Sequence, residues 1–171
     1  MVKLFTNEKE VIKYKVQKNF LDKTFFDKFQ TFLFSCSFPW FWAEHQYFTD
    51  RPFFSHTFYR NHKPNSSHYE SFIFPIIKKL KCDDISNVRA NCLVKDQKKH
   101  FSNFHCDRNY DCTTAILYVN TNNGYTLLGE KEKIKIKSEA NKLVIFNSQT
   151  KHCAVSQTDT DRRIVVNFNY Y

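Results

Sequence analysis

Between Asp22 and Cys36 the apolar residues Phe25, Phe26, Phe29, Phe32 and Leu33 recur at spacings of three and four, the stripe of an amphipathic helix. Asp22 stands where an N-terminal cap belongs, so the stripe predicts a helix that packs on a flat apolar surface. Phe38-Pro39-Trp40-Phe41-Trp42 ends it. The stretch onward to Ser67 mixes Phe, His, Pro and Asn without a sustained period and reads as loop and short extended pieces. Helical spacing returns from His68 to Lys81 through Phe72, Ile73, Ile76, Ile77 and Leu80. Pro75, which has no N–H to donate, marks a kink or irregularity there.

After Cys82 the pattern shortens. Val88–Val94, Thr113–Asn120, Lys133–Ile136, Lys142–Phe146 and Ile164–Tyr170 are β-like runs separated by turn formers such as Asn122-Asn123-Gly124. Their spacing fits an antiparallel sandwich or barrel, and helices first with strands afterwards argue an α+β, mainly β fold. No repeat or linker interrupts the chain, so residues 1–171 read as one domain, with 1–84 a helical and aromatic support and 85–171 the strand core.

Composition narrows the functional classes. The 171 residues are 42% apolar and 18% aromatic, enough to bury a core and to exclude a disordered chain. Only two glycines are present, which removes phosphate-cradling loops and dinucleotide fingerprints. A formal charge of +9 favours anionic partners without choosing among them, and many of the lysines suit simple solvated faces. No apolar run is long enough to cross a membrane, and Met1 to Lys15 is too charged for a secretory signal, so the expected location is cytoplasmic, without a membrane partner. The six cysteines then read as reduced thiols. They form no C-x-x-C pair, which argues against a structural zinc site.

One constellation carries chemistry. In an extended segment, residues two apart point to the same side, so His105 and Asp107 can reach one ion. His152 follows 45 residues after Asp107, far enough for the chain to cross a small barrel and return beside the pair. Two imidazoles and one carboxylate on one face of an octahedron leave three positions open, the arrangement of non-haem Fe(II) oxygenases. H-x-D alone is a common coincidence. The element that follows His152 strengthens it: Asp161-Arg162-Arg163-Ile164-Val165-Val166-Asn167-Phe168-Asn169-Tyr170 opens a β-branched strand with a guanidinium able to take a carboxylate in two parallel hydrogen bonds.

This order of H-x-D, distal His and strand-opening Arg resembles the 2-oxoglutarate- and Fe(II)-dependent dioxygenases. Thr114-Ala115-Ile116-Leu117-Tyr118-Val119-Asn120, Asn123-Gly124-Tyr125-Thr126 and Thr158-Asp159-Thr160-Asp161-Arg162-Arg163-Ile164 are similar to the small prolyl 4-hydroxylase-like branch, which includes versions encoded by bacteria and viruses. Phe38-Pro39-Trp40 and Arg89-Ala90-Asn91 extend the likeness upstream. The resemblance implies a double-stranded β-helix (jelly-roll) core with N-terminal helices packed against it. It makes His105, Asp107 and His152 the Fe(II) ligands, and Arg163 the residue for the far carboxylate of 2-oxoglutarate, with Arg162 as the alternative. Tyr118 in the Tyr-x-Asn element would help hold that carboxylate, and Asn91 would line the site. The implied reaction consumes 2-oxoglutarate and O₂, releases succinate and CO₂, and hydroxylates a substrate, a prolyl residue in a peptide or protein at the level of the family. Trp40, Trp42, Tyr47 and Tyr110 are candidates for a surface under a proline-rich peptide, with core packing the stronger expectation for most of them. The segment after Asn123-Gly124-Tyr125-Thr126 is less Gly-rich than in many relatives, which leaves the loop over the site open.

Three rivals share these residues. The same chemistry on a nucleic-acid base or free amino acid draws weak support from the charge. A non-catalytic jelly-roll module would hold another metal, zinc foremost, on the same three ligands. A cysteine hydrolase at Cys106 or Cys153 is disfavoured because a neighbouring His on a strand faces the opposite side.

Overall fold

A computed structural model of the chain describes residues 12–43, 53–82, 84–131 and 133–171. Tyr47 lies outside the described residues.

The first helix forms as the stripe requires. α1 (Lys23–Phe34) is capped by Asp22, whose carboxylate accepts from the Phe25 N–H at 3.1 Å, and it buries Phe26, Phe29 and Leu33. The second helical stretch opens as a π-turn over Tyr69–Ile73 and continues as α2 (Phe74–Leu80). Pro75 accounts for the change of pitch: its ring crowds the carbonyl one turn back and it donates nothing, so the preceding turn widens, and the Phe74 N–H donates to the Tyr69 carbonyl. The two helical elements meet through stacked rings, Phe32 on Phe72 at 4.6 Å and Phe29 on Phe72 at 5.5 Å between centroids.

The described residues also form eleven strands: β1 (Tyr14–Gln17), β2 (Phe41–Ala43), β3 (Phe53–Arg60), β4 (Lys63–Pro64), β5 (Ile85–Val94), β6 (Thr113–Tyr118), β7 (Tyr125–Leu128), β8 (Ile134–Lys137), β9 (Lys142–Asn147), β10 (His152–Val155) and β11 (Arg162–Tyr170). They pair antiparallel in two sheets. The larger runs β1-β9-β6-β11-β5-β3-β2, with β4 on β3, and the smaller runs β10-β7-β8. This is the jelly roll expected, with the helices on the outer face of the large sheet.

Strand alternation divides the large sheet into two chemistries. Val88, Ala90 and Cys92 of β5, Ala115 and Leu117 of β6, Leu143 of β9, and Ile164, Val166 and Phe168 of β11 join α1 and α2 in one apolar core. The opposite face meets the small sheet, where Ile116, Tyr118, Val144, Phe146 and Val165 pack on Leu128 and Ile136. The inward face of β11 therefore reads Arg163, Val165, Asn167, Asn169, polar at both ends, while its outward face, after Arg162 at the start, is the apolar run Ile164, Val166, Phe168 with Tyr170 at its end.

The stretch from Phe53 to Arg60, expected as loop and short pieces, is instead an eight-residue strand between β5 and the edge strand β2. Its register against β5 shifts between Thr57 and Tyr59, and this bulge breaks the period of two that would have marked it. His56, buried at its centre, is bonded through both ring nitrogens, to the Pro39 carbonyl and the Ser66 hydroxyl, each at 2.8 Å. Trp40 packs on Phe38 and donates its indole N–H to the Leu33 carbonyl at 3.3 Å, so it belongs to the core, whereas Trp42 is 59% exposed. Among the described residues no helix is long and apolar enough to cross a membrane.

Candidate metal centre

The segment ahead of β6 runs along the edge of β10. His105 and His152 bridge by two backbone hydrogen bonds, His105 N–H to the His152 carbonyl at 3.0 Å and the reverse at 2.9 Å, which fixes their side chains on one side. Their ring centroids lie 4.5 Å apart. Asp107, two residues on, is tied by its own N–H to the Ser148 carbonyl at 3.0 Å. One donor atom from each of the three residues lies within 4.8 Å of the other two.

The orientation of each ligand is set from behind. His105 Nδ1 faces the Asn103 carbonyl and His152 Nδ1 faces the Thr150 carbonyl, both at 3.0 Å. Each ring thus spends Nδ1–H on the backbone and turns Nε2 inward. Asp107 Oδ2 accepts from Thr114 Oγ1 at 2.9 Å and from Asn169 Nδ2 at 3.1 Å, which leaves Oδ1 to face His152 Nε2 at 3.4 Å and His105 Nε2 at 3.8 Å. The free atoms of the set are two imidazole nitrogens and one carboxylate oxygen, directed at a common point and backed by outer hydrogen bonds of the kind that orient metal ligands. The donor set fits a divalent transition metal, Fe(II) included.

Electrostatics agree with this arrangement. Burial works against the Asp107 charge, but the hydrogen bonds with His152, Asn169 and Thr114 outweigh it and hold the carboxyl well below the usual carboxylate range. Burial likewise opposes protonation of His152, and contact with Asp107 overrides it, so this imidazole titrates above its ordinary value. His105 goes the other way. Burial and then the neighbouring His152 lower it, leaving a neutral ring with an available lone pair.

The three residues line a cavity between the sheets together with Asn91, Thr126 and Arg163, walled by Leu93, Ile116 and Val165. Arg163 is 2% exposed. Its Nε donates to Ser138 Oγ at 3.0 Å and its Nη2 to Thr126 Oγ1 at 3.3 Å, both neutral hydroxyls, and among the described residues no carboxylate pairs with it. A buried cation without a counter-ion is costly, so the cavity is built to admit an anion. Arg162 takes the opposite side of the strand, with its guanidinium 4.6 Å from the Phe34 ring centre and bonded to the Phe34 carbonyl at 3.2 Å.

Tyr118 and Asn91 are differently situated. Tyr118 is fully buried, its hydroxyl donates to Thr126 Oγ1 at 2.8 Å and its ring lies 5.8 Å from the Arg163 guanidinium; burial pushes its phenol up to about 12. The side chain that reaches the cavity is Thr126, which the sequence reading did not single out. Having accepted two hydrogen bonds, Thr126 Oγ1 keeps its own hydrogen for a further partner. Asn91 lines the cavity, and its Oδ1 is buried without a partner. The supporting pair Thr114 and Asn169 was also missed. The signal was present in β11, where Asn167 and Asn169 continue the face that carries Arg163. Cys153 is buried with Leu127 and Val155 away from the cavity, and Cys106 points its thiol at the Gln149 carbonyl at 3.0 Å.

No family model matches the sequence, and no curated protein matches it. Solved structures do match its fold. A prolyl hydroxylase from Trichoplax adhaerens, solved in complex with a hypoxia inducible factor oxygen degradation domain peptide fragment, has a TM-score of 0.68 at 13% identity, over 92% of this chain and 83% of that one. A prolyl-4-hydroxylase from Pseudomonas putida has a TM-score of 0.68 at 12% identity, over 94% and 93%. An oxidoreductase of the 2OG-Fe(II) oxygenase family from Burkholderia pseudomallei has a TM-score of 0.69 at 10% identity, over 92% and 84%. The chain therefore has the double-stranded β-helix fold of 2-oxoglutarate- and Fe(II)-dependent oxygenases, in its prolyl-hydroxylase-like form.

Proposed function

We propose that this protein is an Fe(II)- and 2-oxoglutarate-dependent dioxygenase that hydroxylates a prolyl residue in a peptide or protein, acting in the cytoplasm. The observation that carries the chemistry is the shared cavity: three convergent ligand atoms and one buried cation without a counter-ion, on the fold of such oxygenases. The prolyl substrate is supported by the two prolyl hydroxylases among the similar structures, one of them holding a peptide. Six free thiols fit a reducing compartment.

His105 Nε2, His152 Nε2 and Asp107 Oδ1 would hold Fe(II). Bound there with 2-oxoglutarate and O₂, it supplies the oxidising power that couples release of succinate and CO₂ to hydroxylation of a C–H bond. The protein's own groups bind and orient. Arg163 receives the far carboxylate of the cosubstrate, and Thr126 adds its hydroxyl hydrogen to the same oxygens. Tyr118 is a positioning residue that holds Thr126 in the rotamer this requires. The Leu93, Ile116 and Val165 side chains exclude water, which strengthens each charged contact.

The test is succinate formation on anaerobic loading with Fe(II), addition of 2-oxoglutarate and admission of air, followed by a proline-containing peptide array read for a mass gain of one oxygen. His105→Ala, Asp107→Ala and His152→Ala should each abolish succinate formation. Unchanged formation in His105→Ala overturns the metal assignment, and oxygen gain on an oligonucleotide base in place of proline overturns the substrate.

A further inference from the structure

We propose that the substrate of this centre is an acidic peptide, drawn along a polar groove in which Arg60 and Arg108 meet its carboxylates while the Asn91 and Asn167 side-chain oxygens accept its N–H groups. The inference rests on the metal-centre reading above and adds the charge and the hydrogen-bonding class of what is bound there.

The groove opens beside Asp107. Arg60, Ser86, Asn87, Arg89, Arg108 and Asn167 line it, and Arg89 and Asn167 also line the cavity that holds His105 and Arg163, so the two spaces are continuous. Among the described residues its lining carries more cations than acids. Among the described residues, Asp107 is the lone acid of the lining, and its oxygens are turned toward two imidazoles and held by Thr114 and Asn169. The nearby Asp84 faces His62 Nδ1 at 3.6 Å. Three guanidiniums thus border the route to the centre, and a metal ion would add further positive charge.

The second observation is a set of buried polar atoms without partners. Asn91 Oδ1, Asn167 Oδ1, Ser86 Oγ and Arg108 Nε are enclosed yet make no hydrogen bond. Buried groups of this kind are costly and mark places where a ligand completes the bonding. The two carboxamide oxygens require donors, and Arg108 Nε requires an acceptor. A peptide with acidic side chains offers both, main-chain N–H groups for the first and carboxylates for the second. A phosphodiester backbone supplies acceptors alone. The aromatic residues of the groove are not arranged to sandwich a base either: Phe53 is 5% exposed, and Tyr110 is stacked on Tyr171 at 5.9 Å and 10°.

The experiment uses the full chain loaded with Fe(II) and 2-oxoglutarate without oxygen. Fluorescent peptides centred on one proline, with flanks of Glu and Asp, of Gln and Asn, or of Lys, are titrated beside a single-stranded oligonucleotide. The acidic peptide is expected to bind at least about fivefold more tightly than its neutral counterpart, and to weaken as salt rises. Arg60→Glu, at an exposed position that leaves folding intact, and Arg108→Gln should each erase most of that preference. Equal binding of the neutral or lysine-flanked peptide overturns the proposal, and so does an oligonucleotide that displaces the acidic peptide. Iron-dependent succinate release without peptide is read on the same samples. Its absence with the acidic preference intact overturns the catalytic reading; its presence without the preference overturns the groove assignment.

Discussion

Asn169 holds Asp107 from the far side of the site: one carboxamide donates to Asp107 Oδ2 at 3.1 Å and to Thr114 Oγ1 at 3.0 Å, while Thr114 donates to the same carboxylate oxygen at 2.9 Å. Two strands of the large sheet thereby aim a carboxylate that belongs to neither. Asn169→Ala should leave the ligand set intact but free the carboxylate to rotate. The expected loss is about 10- to 100-fold in metal affinity, read by competition with a metal-chelating dye.

The two adjacent arginines should separate cleanly. Arg163→Leu removes a buried cation that pairs with no carboxylate among the described residues, so the metal-free protein should gain stability, about 1–4 kcal/mol by analogy with replaced buried charges. 2-Oxoglutarate is expected to raise the melting temperature of the wild type, and the same change should abolish that rise. Arg162→Leu forfeits its contact with Phe34, costs about 1 kcal/mol or less as a half-exposed pair, and should keep the full response to 2-oxoglutarate. Thermal melts with and without the cosubstrate decide it.

At Gly124 the chain passes close to the Arg163 stem. A Cβ there would lie 2.8 Å from Arg163 Cδ and from Asn122 Oδ1, and 2.9 Å from the Val155 carbonyl oxygen. The backbone carbonyl cannot yield as a side chain can, so Gly124→Ala should push Arg163 out of line. An increase of about tenfold or more in the 2-oxoglutarate concentration needed for half-maximal succinate formation is expected, from loss of a charge-assisted contact.

Metal binding should release a proton, and the surroundings of the two imidazoles point to His152 as its source. Burial opposes protonation of His152 but contact with Asp107 overrides it, so of the two imidazoles it keeps its proton to higher pH and is the one a metal must displace it from; burial lowers His105. The sign for the metal-free fold follows. The raised His152 contributes stability that is fully present below its ordinary value of about 6.5 and is lost as pH rises through its folded value. Depressed Asp107 contributes stability that is present above the ordinary carboxylate range and is lost as pH falls. Calorimetry in buffers of different ionisation enthalpy, just below neutral pH, should find about one proton released per metal bound. In His152→Ala that release should vanish.

Much of this was legible in the chain itself. The Phe stripe and Asp22 cap gave α1, because an amphipathic period survives local accidents over several turns. The long β-branched runs gave β5, β6, β9 and β11. The i, i+2 rule paired His105 with Asp107, and alternation put Arg162 and Arg163 on opposite faces. What escaped was structure whose pattern is short or broken. β7 and β10 have four residues each, too few for a period, and β3 carries a bulge and a buried His. Thr126, which accepts from both Tyr118 and Arg163, comes from a strand too short to foresee.

β11 binds these parts together. The same nine-residue strand carries Arg163 at its beginning and Asn169 near its end, on the one face that looks between the sheets. A slip of a single residue against β5 or β6 would send both side chains into the grease beneath the helices and bring Ile164 and Tyr170 inward. Affinity for the organic acid and for the metal would then fail together. Evolution can retune the mouth of this molecule freely, but at this strand two binding functions hang on one alignment.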